Sequence, residues 1–184
     1  MGLFNVSMAL IGALDTDVLE NEKLARHTSY RAIETVNAEG VPWVVMGRGS
    51  NILVSDDGYR GVVIMLGREF GRTVIAEDGC TLTVGAATVL MRVVNDAYAR
   101  GLSGLEFAVG IPGTLGGAIN MDAGTRDEWI GSVVKSVMTY RPGTGICRYD
   151  HDQIAWGYRS CSLPAGEIVL EATLGLTPAS KQDI

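Results

Sequence analysis

The chain has 184 residues, 47% of them hydrophobic and 20% charged, enough for one domain or a compact pair around a real core. A net charge of −6 argues against a nucleic-acid partner, whose binding surface shows as a basic stripe. Three widely spaced cysteines (Cys80, Cys147, Cys161) and only two histidines fit neither a disulfide framework nor a metal centre, so reduced thiols and a cytoplasmic location are expected.

Residues 4–20 read as one or two short helices, with Asp15-Thr16-Asp17 capping the second. The apolar run Met8 to Leu14 lacks a basic flank and is too short to span a bilayer, so it is expected as a packed helix with no membrane role. Ala32 to Gly40 reads as the end of an amphipathic helix, with Ile33 and Val36 on one face and Gly40 as the stop. Val41 to Met46 is a nearly continuous apolar run, which predicts a buried strand. Ile52 to Ser55 is strand-like and ends in a turn at Asp56-Asp57-Gly58; Gly61 to Leu66 predicts a third strand. Thr73–Ala76 and Thr81–Val84 form a hairpin around an Asp-Gly turn. Leu90, Val93, Val94 and Ala97 recur at helical spacing within residues 88–100, and Gly101 ends that helix. Val133–Tyr140 and Gly145–Tyr149 predict a second hairpin, Asp150 opens a short capped turn, and Glu167–Leu174 predicts a closing strand. Short strands, hairpins and few helices make the fold α+β.

Two glycine loops stand out. In Gly110-Ile111-Pro112-Gly113-Thr114-Leu115-Gly116-Gly117-Ala118-Ile119-Asn120, five residues are Gly or Pro, which suits either a tight structural turn or a nest of backbone N–H groups that binds an anion. The second is Gly47-Arg48-Gly49-Ser50-Asn51, directly after a predicted strand. It lacks the third glycine and the following helix of a dinucleotide fingerprint, which excludes a Rossmann fold. Gly157-Tyr158-Arg159-Ser160 places an aromatic ring, a cation and a hydroxyl side by side, for a site or for a surface salt bridge.

Taken in order, Gly47–Val54, Gly101-Leu102-Ser103-Gly104-Leu105-Glu106, Gly110–Gly124 and Gly157–Ser160 resemble the UDP-N-acetylenolpyruvoylglucosamine reductases, flavoenzymes of peptidoglycan synthesis, from about Leu24 to about Leu176. The resemblance implies an FAD-binding fold of the p-cresol methylhydroxylase (vanillyl-alcohol oxidase) type. A small subdomain would cover residues 1–66 and a larger one residues 67–184. It places Gly47, Arg48, Gly49, Ser50, Asn51 and Ile52 against FAD, together with Gly110, Ile111, Pro112, Gly113, Thr114, Gly116, Gly117 and Ala118. Asn120, Ala123 and Gly124 lie near the same ligand. Arg159 corresponds to the family's catalytic arginine, Tyr158 helps to place a UDP-sugar substrate, and NADPH is the implied reductant.

The sequence also departs from that family. Its C-terminal substrate domain, with a serine proton donor and a glutamate, has no counterpart before Ile184, so substrate turnover is expected to be lacking. A strand and a Gly-Gly loop that the family carries are missing where Tyr30-Arg31 runs into Ala32-Ile33. Asp122 stands where Asn is usual, a carboxylate that must point away from a bound diphosphate, and Ala87 replaces a usual Gly. A non-catalytic flavin-binding module, and another oxidoreductase on the same fold, are the alternatives.

Overall fold

A computed structural model describes residues 7–11 and 20–184. The predicted cap at Asp15-Thr16-Asp17 lies outside them. The chain opens with β1 (Ser7–Ile11), helix α1 (Glu20–Ala38), β2 (Trp43–Val45) and β3 (Val62–Leu66). These strands form a parallel sheet in the order β1-β3-β2, with Val62 opposite both Ser7 and Trp43. The expected helix over Met8 to Leu14 is therefore corrected: its described part is a strand. A short apolar run carries no period that separates strand from buried helix, and here the parallel partner β3 decides.

Two other expectations change in this region. Within Val41 to Met46 the strand covers Trp43–Val45 and lies at the edge of the described sheet rather than buried, with Val44 exposed. Ile52 to Ser55 forms no strand, and Leu53 is 99% exposed. The Asp-Gly turn after it does form: Gly58 N–H donates to Ser55 O at 2.9 Å, with φ +76° at Gly58. Helix α1 passes through Arg31-Ala32 without a break and ends before Gly40, whose φ is +63°.

The larger part of the chain contains β4 (Thr73–Ile75), β5 (Thr81–Gly85), α2 (Leu90–Ala99), β6 (Leu102–Ser103), α3 (Leu115–Asn120), β7 (Val134–Arg141), β8 (Gly145–Asp150), β9 (Trp156–Gly157), β10 (Ser160–Cys161), β11 (Ile168–Gly175) and β12 (Thr177–Pro178). Both predicted hairpins form, β4 with β5 and β7 with β8, antiparallel. Asp78 explains the first turn, because its Oδ1 accepts from the N–H groups of Cys80 (2.9 Å) and Thr81 (2.8 Å). The five-stranded sheet runs β4-β5-β11-β7-β8, so the predicted closing strand β11 is the central one, paired on both edges.

A β-bulge between Val169 and Glu171 reverses the side-chain parity of β11. Val169, Ala172 and Leu174 therefore all face the core closed by Leu90, Val93 and Val94 of α2 and by Leu115 and Ile119 of α3. Ile168 and Leu170 face the other way, onto Ile33 of α1, Ile64 of β3 and Phe70. Each of these side chains except Ala172 contributes about 1.5–3 kcal/mol by burial. Polar contacts reinforce that second junction. Tyr140 donates to Glu34 Oε1 at 2.6 Å, Gly143 N–H donates to the same oxygen at 2.9 Å, and Tyr30 stacks on Tyr140 at 4.4 Å between centroids. Burial, and then the Glu34 carboxylate, push the Tyr140 hydroxyl up to about 12. The parallel sheet is thereby held against the larger one, with the loop after β2 facing the loop before α3.

Candidate functional site

The first glycine loop leaves the carboxyl end of the parallel sheet. The last ladder-like bond is Met46 N–H to Ile64 O at 2.9 Å. Beyond it, among the described residues, no backbone N–H from Gly47 to Asn51 reaches a protein acceptor. Gly49 turns the chain with φ +71°. Consecutive unpaired N–H groups on a turn with one left-handed residue are the physical basis of an anion nest.

The second loop spends most of its N–H groups internally, although those of Gly113 and Thr114, among the described residues, reach no protein acceptor. Ile111 donates to Ala108 O (3.1 Å), Leu115 to Thr88 O (2.9 Å), Gly116 to Ala86 O (2.9 Å) and Ala118 to Thr114 O (2.9 Å). Thr114 caps α3, with Oγ1 accepting from Gly117 N–H at 3.4 Å. The two loops touch. Ser50 Oγ donates to Pro112 O at 3.3 Å, and a Cβ on Gly47 would stand 2.6 Å from Thr114 Oγ1. Glycine at position 47 is what lets the loops approach so closely.

Between them lies a cleft of about 320 Å³, within the size range of small-molecule sites. It brings together Gly47, Arg48, Gly49, Ser50, Asn51, Ile52, Ile111, Pro112, Gly113, Thr114, Gly117, Ala118, Asn120, Ala123 and Arg159. Among the described residues, Arg48 and Arg159 are its charged side chains, and no carboxylate lines it. Val45 and Met121 complete the wall; their generic apolar character gave no signal in the sequence.

Three expected members fall elsewhere. Gly110 is exposed and does not line the cleft. Gly116 is buried, and a Cβ there would meet Ala86 Cβ at 3.0 Å, so it is a packing glycine. Gly124 lines a neighbouring cleft of about 240 Å³ with Asp122, Arg126, Trp129, Trp156 and Tyr158. Arg159 lines both clefts. It sits in the two-residue turn between β9 and β10 with φ +60°, a left-handed conformation that costs a non-glycine residue about 1–2 kcal/mol. Among the described residues no carboxylate pairs with it, which removes the salt-bridge reading; its guanidinium lies 5.7 Å from the Tyr158 ring centre, itself 88% exposed.

Asp122 is also left-handed, with φ +41°, and buried. Its Oδ1 accepts from Gly131 N–H at 3.0 Å, so the carboxyl points away from the first cleft. Burial holds its pKa above the ordinary carboxyl range, against the lowering effect of the Gly131 bond. Among the described residues, no helix is long and apolar enough to cross a membrane.

A family model described as an FAD binding domain matches residues 29–142. The UDP-N-acetylenolpyruvoylglucosamine reductase of Bacillus licheniformis is 38% identical over 189 residues, using 91% of this chain and 61% of that protein. The one of Geobacter metallireducens is 37% identical over 187 residues, with the same two coverages. The first match is longer than the share of this 184-residue chain it draws on, so the relative carries residues inside the matched region that are missing here. The chain spans about three-fifths of the length of these curated relatives. The crystal structure of the Thermus caldophilus UDP-N-acetylenolpyruvylglucosamine reductase superposes with a TM-score of 0.77 at 31% identity, covering 96% of this chain and 57% of that one. An alkyldihydroxyacetonephosphate synthase superposes with a TM-score of 0.62 at 15% identity, covering 93% of this chain and 31% of that one, a likeness of fold alone. With the α+β architecture and the two-loop cleft, these matches make the chain a member of the FAD-binding-domain family, with the p-cresol methylhydroxylase type of flavin fold.

Proposed function

We propose that this chain is the FAD-binding part of a cytoplasmic UDP-N-acetylenolpyruvoylglucosamine reductase. That enzyme uses NADPH to reduce the enolpyruvyl ether of UDP-N-acetylglucosamine to UDP-N-acetylmuramate for peptidoglycan. Residues 1–66 form its small flavin-binding subdomain and 67–184 the larger one. One observation carries the reading: in a chain of net charge −6, the first cleft has, among the described residues, two arginines, a row of unpaired N–H groups and no carboxylate. Those residues fit a diphosphate-bearing cofactor, because fixed backbone dipoles offset phosphate charge without a basic surface.

When bound, FAD supplies hydride transfer between NADPH and the substrate. The chain's own residues hold and orient. The N–H groups of Gly47 to Asn51 take the diphosphate, and the second loop closes over it as a rigid wall. Arg159 holds the substrate carboxylate, where negative charge grows as the double bond is reduced; its planar fork suits both carboxylate and enolate. Tyr158, whose ring lies beneath that guanidinium, helps to place the substrate.

The test is spectroscopic. The purified chain, mixed with FAD and passed through gel filtration, is expected to keep flavin absorbance, and NADPH is expected to bleach it. Loss of all flavin on the column overturns the reading. Retained flavin that NADPH leaves oxidised favours a non-catalytic flavin-binding module, the reading that the residues missing relative to the Bacillus licheniformis protein support.

A further inference from the structure

A carboxylate that lines neither cleft stands just ahead of the second loop. Glu106 opens a short 3-10 turn, Glu106–Ala108, and its side chain folds back on the residues before it. Its Oε2 accepts from Gly104 N–H at 2.7 Å. Gly104 has φ +121° and Leu105 φ −120°, a bend that presents successive N–H groups to one anion. Burial raises the Glu106 pKa, but hydrogen bonds from the Ser103 side chain and from the N–H groups of Glu106, Gly104 and Leu105 outweigh it and hold the carboxyl below its ordinary range. Oε1 is buried and has no hydrogen-bond partner among the described residues, and no cation there forms an ion pair with Glu106. The backbone alone therefore offsets this charge: it is an anion nest filled by the chain's own carboxylate.

From this nest the backbone leads into the flavin cleft. Ala108 N–H donates to Leu105 O (3.0 Å), Val109 N–H to Glu106 O (3.1 Å) and Ile111 N–H to Ala108 O (3.1 Å). Ile111, Pro112 and Gly113 then line the first cleft, and Pro112 O accepts from Ser50 Oγ of the facing loop. Leu105 and Ala108 are buried, whereas Val109 and Gly110 are exposed and pack on little. The path into the cleft wall is thus fastened at Glu106 rather than along its length.

We propose that Glu106 is a positioning residue for the flavin site: its carboxylate fixes the entry of the second loop and so sets where Ile111 to Gly113 stand against the cofactor. The inference rests on the flavin-binding reading above. A neutral side chain does not reproduce the effect, because charge-assisted hydrogen bonds are about twice as strong as neutral ones.

The nest allows a test by chemical rescue. FAD affinity is measured by equilibrium titration, and exchange of the Ile111 amide is measured in the flavin-free chain, each against wild type in the same salt. Glu106→Ala is expected to weaken FAD about tenfold and to speed Ile111 exchange about tenfold. Sodium formate returns a carboxylate to the vacated nest and is expected to recover most of both losses, while sodium chloride recovers neither. Glu106→Gln fills the nest without charge and is expected to show smaller losses that formate does not change. Circular dichroism records folding of every sample. Wild-type FAD affinity or wild-type Ile111 exchange in either variant overturns the proposal, and so does a folded Glu106→Ala whose losses formate leaves in place. If Glu106→Ala does not fold, Glu106→Gln decides by the same two readouts. A wild-type chain that takes up no FAD overturns the reductase reading; variants that match a FAD-binding wild type overturn this inference alone.

Discussion

Gly47–Asn51 and Gly110–Ala118 are both glycine-rich and both line the first cleft, yet the first leaves a longer run of N–H groups open and the second is tied more tightly to its neighbours. The first leaves its N–H groups without protein acceptors. The second commits Leu115, Gly116 and Ala118 to the carbonyls of Thr88, Ala86 and Thr114. Glycine therefore means a donor array in one loop and close packing in the other. In the proposed reading the first loop supplies most of the donors to the ligand and the second the firmer wall.

That contrast can be broken by substitution. Gly116→Val forces a side chain against Ala86, where a Cβ already stands 3.0 Å from Ala86 Cβ and 3.3 Å from its carbonyl oxygen. Overpacking of this kind costs about 1–3 kcal/mol of folding stability, read as a lower midpoint in urea. An unchanged midpoint would remove Gly116 from the packing role. Gly47→Ala brings a Cβ to 2.6 Å from Thr114 Oγ1, so Thr114 must shift and its long cap on Gly117 N–H is lost, at a cost in folding smaller than that of Gly116→Val. FAD affinity is expected to fall about tenfold, the equivalent of about 1.4 kcal/mol, by equilibrium titration. The reverse pattern, a lost fold with intact FAD binding in the surviving fraction, contradicts the division of labour.

The smallest effect concerns Asp122. Burial raises its folded-state pKa above the unfolded value of about 3.9. Between those two values the folded protein keeps a proton that the unfolded chain releases. Stability therefore falls as pH rises through that window, and the loss is complete above the folded value. Asp122→Asn removes this titration and keeps a residue type that tolerates the left-handed backbone. Its Tm is expected to exceed wild type at pH 7 and to match it below about pH 4. A variant less stable than wild type at pH 7 would show that the ionised carboxylate contributes to the fold.

What could be read in the sequence was local. The Asp78 turn, the Leu90–Ala97 helical face and the Gly40 and Gly101 stops depend on neighbours a few residues away, and all appear as expected. Register across the chain was hidden. Ser7–Ile11 is a strand because Val62–Leu66 pairs with it, and β11 is central because β5 and β7 flank it. The exposed Leu53 shows that an apolar triplet without a partner strand does not make one. The cleft residues were reached through ordered motifs, except at Gly116, a packing glycine that looks like a cleft glycine in sequence, and at Gly110, which serves an exposed left-handed turn. Arg126, Trp129 and Trp156 gave no motif, because separate turns bring them to one cavity.

The most direct test of the central claim is a titration of the ¹⁵N-labelled chain with FAD, followed by amide chemical shifts. The backbone amides of Gly47, Arg48, Gly49, Ser50 and Asn51 are predicted to shift strongly downfield as they take up phosphate oxygens. Those of Leu115 and Gly116, already bonded to Thr88 and Ala86, are predicted to move little. Shifts concentrated at Leu115 and Gly116, or FAD binding that leaves Gly47 to Asn51 unmoved, would contradict the account.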